Sequence, residues 1–416
     1  MYDYGFFSYD SKADMLERSR AFWNPDKTDF WQDAGIDLVI DRREGYLFWD
    51  MAGRRLIDLH LNGGTYNLGH RNPELIATLE QAMQHFDIGN HHFPALARTA
   101  LAEALVKTCS PNMRRVIYGA AGGEAIDIAI KTARHTKHRR KIVSLIKAYH
   151  GHTGLAVGTG DDRFSKLFLA DHPEEFINVP FNDLNAMEDA LKGRDVAGVL
   201  IESIPATYGF PLPEPGYLQA VKRLCEEYDT LYIADEVQTG LMRTGEMWCI
   251  SKSGVEPDIM VIGKGISGGM YPLSCVVVSE ECSAWLKEDG FGHITTVGGS
   301  ELAAIMGHNP YSDFFDVVAS KLATLEGGSS WTGGGEACWW GTLFEDVVCA
   351  YVEADLGGPI RGDDICIQEV EGHRNSPDGY IVAQLYRGTG GALHLWTTDM
   401  SPEIPTTPRI LLLEFK

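Results

Sequence analysis

The chain carries eight cysteines among 416 residues and not one C-x-x-C pair. Cys109, Cys225, Cys249, Cys275, Cys282, Cys338, Cys349 and Cys366 therefore read as reduced thiols of a cytoplasmic protein, not as a disulfide framework or a zinc site. No apolar run approaches the roughly 18–20 residues that cross a bilayer. The opening stretch "MYDYGFFSYDSKADMLERSR" has no basic region leading into an apolar one, so no secretory leader is expected. Positive charge is scarce: 36 Lys and Arg stand against 58 Asp and Glu, a formal net charge of −22. A surface of that sign repels phosphate, which argues against nucleic acid and anionic membrane as partners. The glycine turn in "YGAAGGEAIDIAIKTAR" lacks the G-K-[ST] ending of a P-loop, which disfavours a nucleotide-binding protein.

What remains is an ordinary globular composition, 44% hydrophobic and 23% charged, with enough length for two or three domains. "GYLFWDMAGRRLIDL" sets two short apolar runs around an Asp-Met-Ala-Gly turn, the pattern of a hairpin. "ELIATLEQAMQHF" and "ALARTALAEALVK" have helical spacing. Strand and helix patterns then alternate. Strands are predicted at "RRVIYGA", "KIVSLIKAYH", "AGVLIES", "TLYIADE", "DIMVIGK" and "PLSCVVVS", and helices at "GGEAIDIAIKTARHT" and "PGYLQAVKRLCEEYD". Continuous apolar strands alternating with helices predict an α/β fold with a mostly parallel central sheet flanked by helices.

Several of these runs end in a residue with chemistry to offer: Glu202, Asp235 and Lys264, with Tyr149 just beyond another. Ligands of open parallel sheets bind outside the carboxyl ends of the strands. A lysine at a dry, glycine-lined site supplies an amine that condenses with an aldehyde. Asp235, 29 residues before Lys264, is the type of group that keeps a pyridine nitrogen protonated and makes pyridoxal phosphate an electron sink. Gly122 and Gly123 open a helix whose N-terminal N–H groups favour a phosphate monoester. Tyr149 offers a ring to stack on a flat cofactor. His150 and His152 have no evident third ligand, and the pair His91 and His92 reads as structural or pocket-lining, so no metal is expected. "TTVGGS" places hydroxyls beside a Gly-Gly bend.

Over about residues 40–302 the chain resembles the class III aminotransferases of the fold-type I pyridoxal-phosphate enzymes. "LFWDMAGRRLIDL", "NLGHRNP", "GGEAIDIAIKTAR" and "YHGHT" are similar to successive blocks of that family. "ADEVQTGLMRTGEMW" and "PDIMVIGKGISGGMYPLSCVV" are the longest and most specific matches. The resemblance implies that Lys264 holds the cofactor as an internal aldimine and shuttles the substrate's proton. Asp235 would pair with the pyridinium nitrogen and Gln238 with the ring hydroxyl. Tyr149 would stack on the ring with His150 beside it, and Glu202 would lie toward the substrate side. Gly122 and Gly123 would bind the phosphate, and Thr296 would reach the phosphate of the partner subunit in a homodimer. Transamination between an amine or amino acid and an oxo acid is the implied reaction. A racemase or aminomutase using the same site, or a cofactor-binding fold without turnover, are the alternatives.

Two departures stand out. His152 occupies the position where ornithine, acetylornithine and GABA enzymes commonly have arginine, and the phosphate turn reads "AAGGEA" without the common Ser or Thr before the glycine. The expected organisation is an N-terminal segment over 1–60 with the hairpin, a large cofactor-binding domain over 61–302, and a C-terminal segment over 303–416 that leaves the family pattern. That last segment holds sixteen Asp or Glu against six Lys or Arg, and glycine clusters interrupt it. A changed reading frame, a fusion or severe divergence would each produce it; the abruptness of the change favours the first.

Overall fold

Four of the apolar runs are buried at every position: Val196–Glu202, Leu231–Asp235, Ile259–Ile262 and Ser274–Ser279. A strand covered on both faces has no solvent side to alternate toward, so its sequence is continuously apolar. The computed structural model describes residues 8–89 and 93–307, together with the backbone of five short strands, Tyr2–Asp3, Ile365–Cys366, Tyr380–Arg387, Leu393–Thr397 and Arg409–Glu414. His91 and His92 lie outside the described residues, as do the glycine-rich stretches after residue 307. The chain divides into two units, Leu61–Lys321 and Met1–His60 with Leu322–Phe415.

The larger unit is built on a seven-stranded sheet. Its strands in chain order are β1 (Met113–Gly119), β2 (Lys141–Leu145), β3 (Phe176–Val179), β4 (Val196–Glu202), β5 (Leu231–Asp235), β6 (Ile259–Ile262) and β7 (Ser274–Ser279). Their spatial order is β1-β7-β6-β5-β4-β2-β3. The pairs β5–β6, β5–β4, β2–β4 and β2–β3 are parallel, and only β7 runs against its neighbours β6 and β1. The expected mostly parallel sheet is therefore present with one reversed strand. Strand β3, "FINV", escapes the periodicity argument because four residues ending before a proline carry almost no pattern.

Helices α1 (Pro73–Ala82), α2 (Leu96–Thr108), α3 (Gly122–Lys137), α4 (Leu184–Leu191) and α5 (Tyr217–Glu227) cover this sheet unit. Helix α3 turns Ala125, Ile126, Ala129, Ile130 and Ala133 into the same apolar cluster as Ile117, Val261, Val276 and Val278 of the sheet. Those helical positions recur every three or four residues, the spacing of one buried helix face. Arg134, His135 and Lys137 in its last turn complement the negative end of the helix dipole. Asn72 and Asp183 cap α1 and α4 by accepting backbone N–H groups, as short polar side chains do at helix starts. Among the described residues, no helix is long and apolar enough to cross a membrane.

In the other unit the hairpin pairs Leu47–Asp50 with Arg55–Asp58 antiparallel. Gly53 turns the corner at φ 79° and donates its N–H to the Asp50 carbonyl at 2.9 Å. Asp50 Oδ1 accepts the N–H groups of Ala52 and Arg54, both at 2.9 Å. Arg409–Glu414 joins Arg55–Asp58 in parallel, and Tyr380–Arg387 and Leu393–Thr397 continue the sheet antiparallel.

Candidate active site

The carboxyl ends of β4, β5 and β6 lie side by side. Asp235 pairs in register with Glu202 on one side and Val261 on the other, so two acids and the segment leading to Lys264 share one sheet edge. Lys264 follows β6 by two residues and adopts φ 44°, a left-handed conformation uncommon for a residue with a side chain. Its Nζ donates to Gln238 Oε1 at 2.5 Å. The neighbouring backbone leaves room for little else: a Cβ on Gly63 would lie 2.9 Å from Lys264 Nζ and 3.3 Å from Gln238 Oε1.

Asp235 is buried and accepts from His150 Nδ1 at 2.7 Å and from the Val237 N–H at 3.0 Å. Because a carboxylate accepts, the imidazole proton of this pair sits on Nδ1. His150 Nε2 is buried without a hydrogen-bond partner among the described residues. Glu202, also buried, accepts the N–H groups of Tyr149 at 3.0 Å and Ala206 at 3.2 Å. Burial foremost holds its carboxyl above the ordinary range; His150 pulls the other way and the neighbouring Asp235 pushes it up, as expected of acids crowded out of water.

Gly122 and Gly123 form the first turn of α3. The preceding residue, Ala121, contributes no side-chain cap, so the N-terminal amides are not covered by a side chain of the cap position. The turn that leads into them is fastened at two points. Glu124 Oε2 accepts the Ala120 N–H at 2.6 Å, and the buried Ser274 hydroxyl donates to the Ala121 carbonyl at 2.8 Å. Thr153 Oγ1 stands 2.7 Å from where a Cβ on Gly123 would be. A Cβ on Gly263, just before the lysine, would lie 3.6 Å from the Gly122 Cα. The glycine turn and the lysine turn are therefore neighbours.

The structure thus brings together Lys264 with Gln238, Asp235 with His150 and Glu202, and Gly122 with the lysine turn. Tyr149 is 40% exposed and its ring meets His152 edge-on at 5.1 Å between centroids. Thr296 is exposed on the loop before Glu301–Gly307. That loop nonetheless abuts the end of β1, since a Cβ on Gly298 would lie 2.7 Å from the Gly119 carbonyl carbon.

Three residues of the site and one beside it are not singled out by the sequence. Gly63 sits in "LNGGTYNLGH", where the double glycine was a signal. Glu124 occupies the third helical position after a small-residue turn, where an acid reaches back to a free N–H. Ser274 opens the largely apolar strand β7 and gives no local sign. Glu236 follows Asp235 and points to the other side, accepting from Thr239 Oγ1 at 2.8 Å and from the N–H groups of Cys249 and Ile250 at 3.0 and 2.7 Å. Burial pushes its carboxyl up to about 7 against those hydrogen bonds.

The sequence pattern of the family described as Aminotransferase class-III matches residues 31–312. An uncharacterized aminotransferase of Archaeoglobus fulgidus is 45% identical over 302 residues, 73% of this chain and 71% of that one. The ornithine aminotransferase of Toxoplasma gondii superposes with a TM-score of 0.68 at 26% identity, covering 76% of this chain and 73% of the other. The taurine:2-oxoglutarate aminotransferase of Bifidobacterium kashiwanohense, solved in complex with PLP and glutamate, has a TM-score of 0.61 at 29% identity over 69% and 68% of the two chains. The chain belongs to the class III aminotransferase family. Its fold is that of the fold-type I transferases, and its enzymatic class is transamination.

Proposed function

We propose that the chain moves an amino group from an amine or amino acid to an oxo acid with pyridoxal 5'-phosphate as cofactor, and that Lys264 is the residue that bears it. The observation that carries this reading is the seating of Lys264 Nζ against Gln238 at 2.5 Å, on the sheet edge that also presents buried Asp235. The residues fit the cofactor's chemistry: an amine for an aldehyde, an acid for a pyridine nitrogen, glycines at a helix N-terminus for a phosphate. The glycine at position 63 leaves the lysine its space.

When bound, the cofactor supplies an electron sink for the pair left at the substrate's α-carbon. Each side chain then has a defined task. Asp235, held by His150, would be the group to pair with the ring nitrogen. Gln238 orients the Lys264 amine through its side-chain oxygen and would be the partner of the ring hydroxyl. Lys264 takes the proton from the α-carbon and returns it, a transfer that requires an amine within hydrogen-bond reach. Tyr149 presents its exposed ring for stacking. Gly122 and Gly123 present backbone N–H groups to the phosphate. Glu202, anchored by two N–H groups, keeps an acid toward the substrate side. Thr296, exposed in its own chain, is open to a second copy, in keeping with a homodimer in which it reaches the partner's phosphate.

The visible absorption spectrum of the purified protein tests this reading, with and without Lys264→Ala. A visible band from the lysine-bound cofactor is expected in the wild type and absent from the variant. A wild type that takes up no added cofactor would sink the reading. An amine donor should bleach the band, and an oxo acid should restore it.

A further inference from the structure

The loop that carries Thr296 is tied to the phosphate turn through one acid. Glu124 lies in the first turn of α3, and its Oε2 accepts the Ala120 N–H at 2.6 Å. Its other oxygen, Oε1, faces His293 Nε2 at 3.6 Å. The far side of that imidazole, Nδ1, meets Lys131 Nζ at 3.2 Å. Lys131 donates, so Nδ1 accepts and the ring's proton sits on Nε2. Nε2 lies on the Glu124 side without a hydrogen bond among the described residues, so the ring is tied to the helix through Lys131 and packs beside Glu124. Glu124, Asp127 and Lys131 occupy one face of α3 by their spacing of three and four. His293 side-chain exposure is only 11%, low for a residue on a loop whose neighbours Phe291 and Ile294 are exposed at 63% and 53%.

Resting on the reading of Gly122–Gly123 as the phosphate turn, we propose that Glu124 and His293 form a latch that positions the cofactor's phosphate site. Glu124 is a positioning residue that holds Ala120 and so presents the following amides. His293 fixes the loop of Thr296 to the same helix. The physical reason is flexibility. Gly119, Ala120, Ala121, Gly122 and Gly123 have no side chain beyond a methyl group, and such a stretch gains conformational freedom when untied. Glu124 is also an anion near an anion site. Its charge opposes phosphate, so what the latch contributes is geometry, and a neutral acceptor at the same place preserves it.

The test uses the full-length apo protein and two probes, pyridoxal phosphate and pyridoxal, which differ only in the phosphate. The ratio of their dissociation constants reports the phosphate site alone. Glu124→Ala should lower that preference about tenfold or more, with pyridoxal affinity held within about twofold. Glu124→Gln, which keeps an oxygen acceptor for Ala120, should stay within about threefold of wild type. His293→Ala should lower the preference about threefold, and the double Ala variant no further than Glu124→Ala alone, because the two residues act as one unit. If Glu124→Ala does not fold, His293→Ala reads the same ratio. A preference unchanged in both Ala variants, or an equal loss for both probes, overturns the latch. A wild type with no preference for the phosphorylated probe overturns the phosphate turn itself, and the latch with it.

Discussion

His150 and Asp235, 85 residues apart in the chain, meet as a buried pair with Nδ1 2.7 Å from Oδ2. An acid sealed from water keeps its charge only if donors surround it, and here the donors are one imidazole and the Val237 N–H. Asp235→Asn retains the shape and removes the charge. The rate of the first half-reaction should fall on the order of 10²–10³-fold, the scale of losing one preorganised electrostatic group at a reacting centre. His150→Ala leaves Asp235 short of a donor and should cost about 1–3 kcal/mol of stability. Stopped-flow bleaching of the cofactor band and urea denaturation measure the two effects. An Asn variant with wild-type rate would remove Asp235 from the mechanism.

Gly63→Ala places a methyl group 2.9 Å from Lys264 Nζ, at a φ of +62° that costs a residue with a side chain roughly 1–2 kcal/mol. The lysine must move. Loss of the cofactor band with a folded protein by circular dichroism is the expected outcome. A variant with an intact band would mean that the lysine has slack which the present packing does not suggest.

Glu236 is pushed up to about 7 by burial. A carboxyl whose folded value lies above its unfolded value near 4.5 binds its proton more tightly when folded, so its favourable contribution is present in acid and lost as pH rises through the folded value. Between about pH 4.5 and 7, the Glu236 share of stability should decline by as much as about 3 kcal/mol. Chemical denaturation across that range, compared with Glu236→Gln, isolates this share. The variant's curve should be flatter; identical slopes would show that the three donors around Glu236 hold it ionised throughout.

Burial pushes Cys109 up to about 12 and Cys282 up to about 11, and Cys225 and Cys275 are raised further in the same way. At pH 8 a thiol of value 12 is thiolate in about one molecule in 10,000, and the thiolate is the reactive form. Brief iodoacetamide treatment of the native protein should leave these four positions unlabelled by peptide mapping, with labelling after unfolding. Rapid native labelling of Cys225 or Cys275 would contradict their burial.

Much of the α/β frame was legible because periodicity and turn chemistry are local. The runs at 196–201, 231–234 and 259–262 are uniformly apolar; the first two end in Glu202 and Asp235, and the third leads through Gly263 to Lys264. Helix α3 carries its buried face in its spacing and its start in two glycines. The short strand β3 and the helix α4 fell below what a few residues can signal. Lys264, Asp235 and Gln238 were visible as residue types in long specific blocks, whereas Glu124 and Ser274 were not, since their partners are the backbone groups of Ala120 and Ala121, which have no signature in a string of letters.

Residue order alone settled which groups the chain has to work with: an amine after one apolar run, acids after two others, glycines opening a helix. Their neighbourhood came from pairing across the sheet. The register that sets Asp235 beside Glu202, the reversal of β7 between β6 and β1, and the burial of His150 against Asp235 join segments that are distant in the chain. Local preference has no term for such distance; contacts between far segments, formed only when the core packs, decide it.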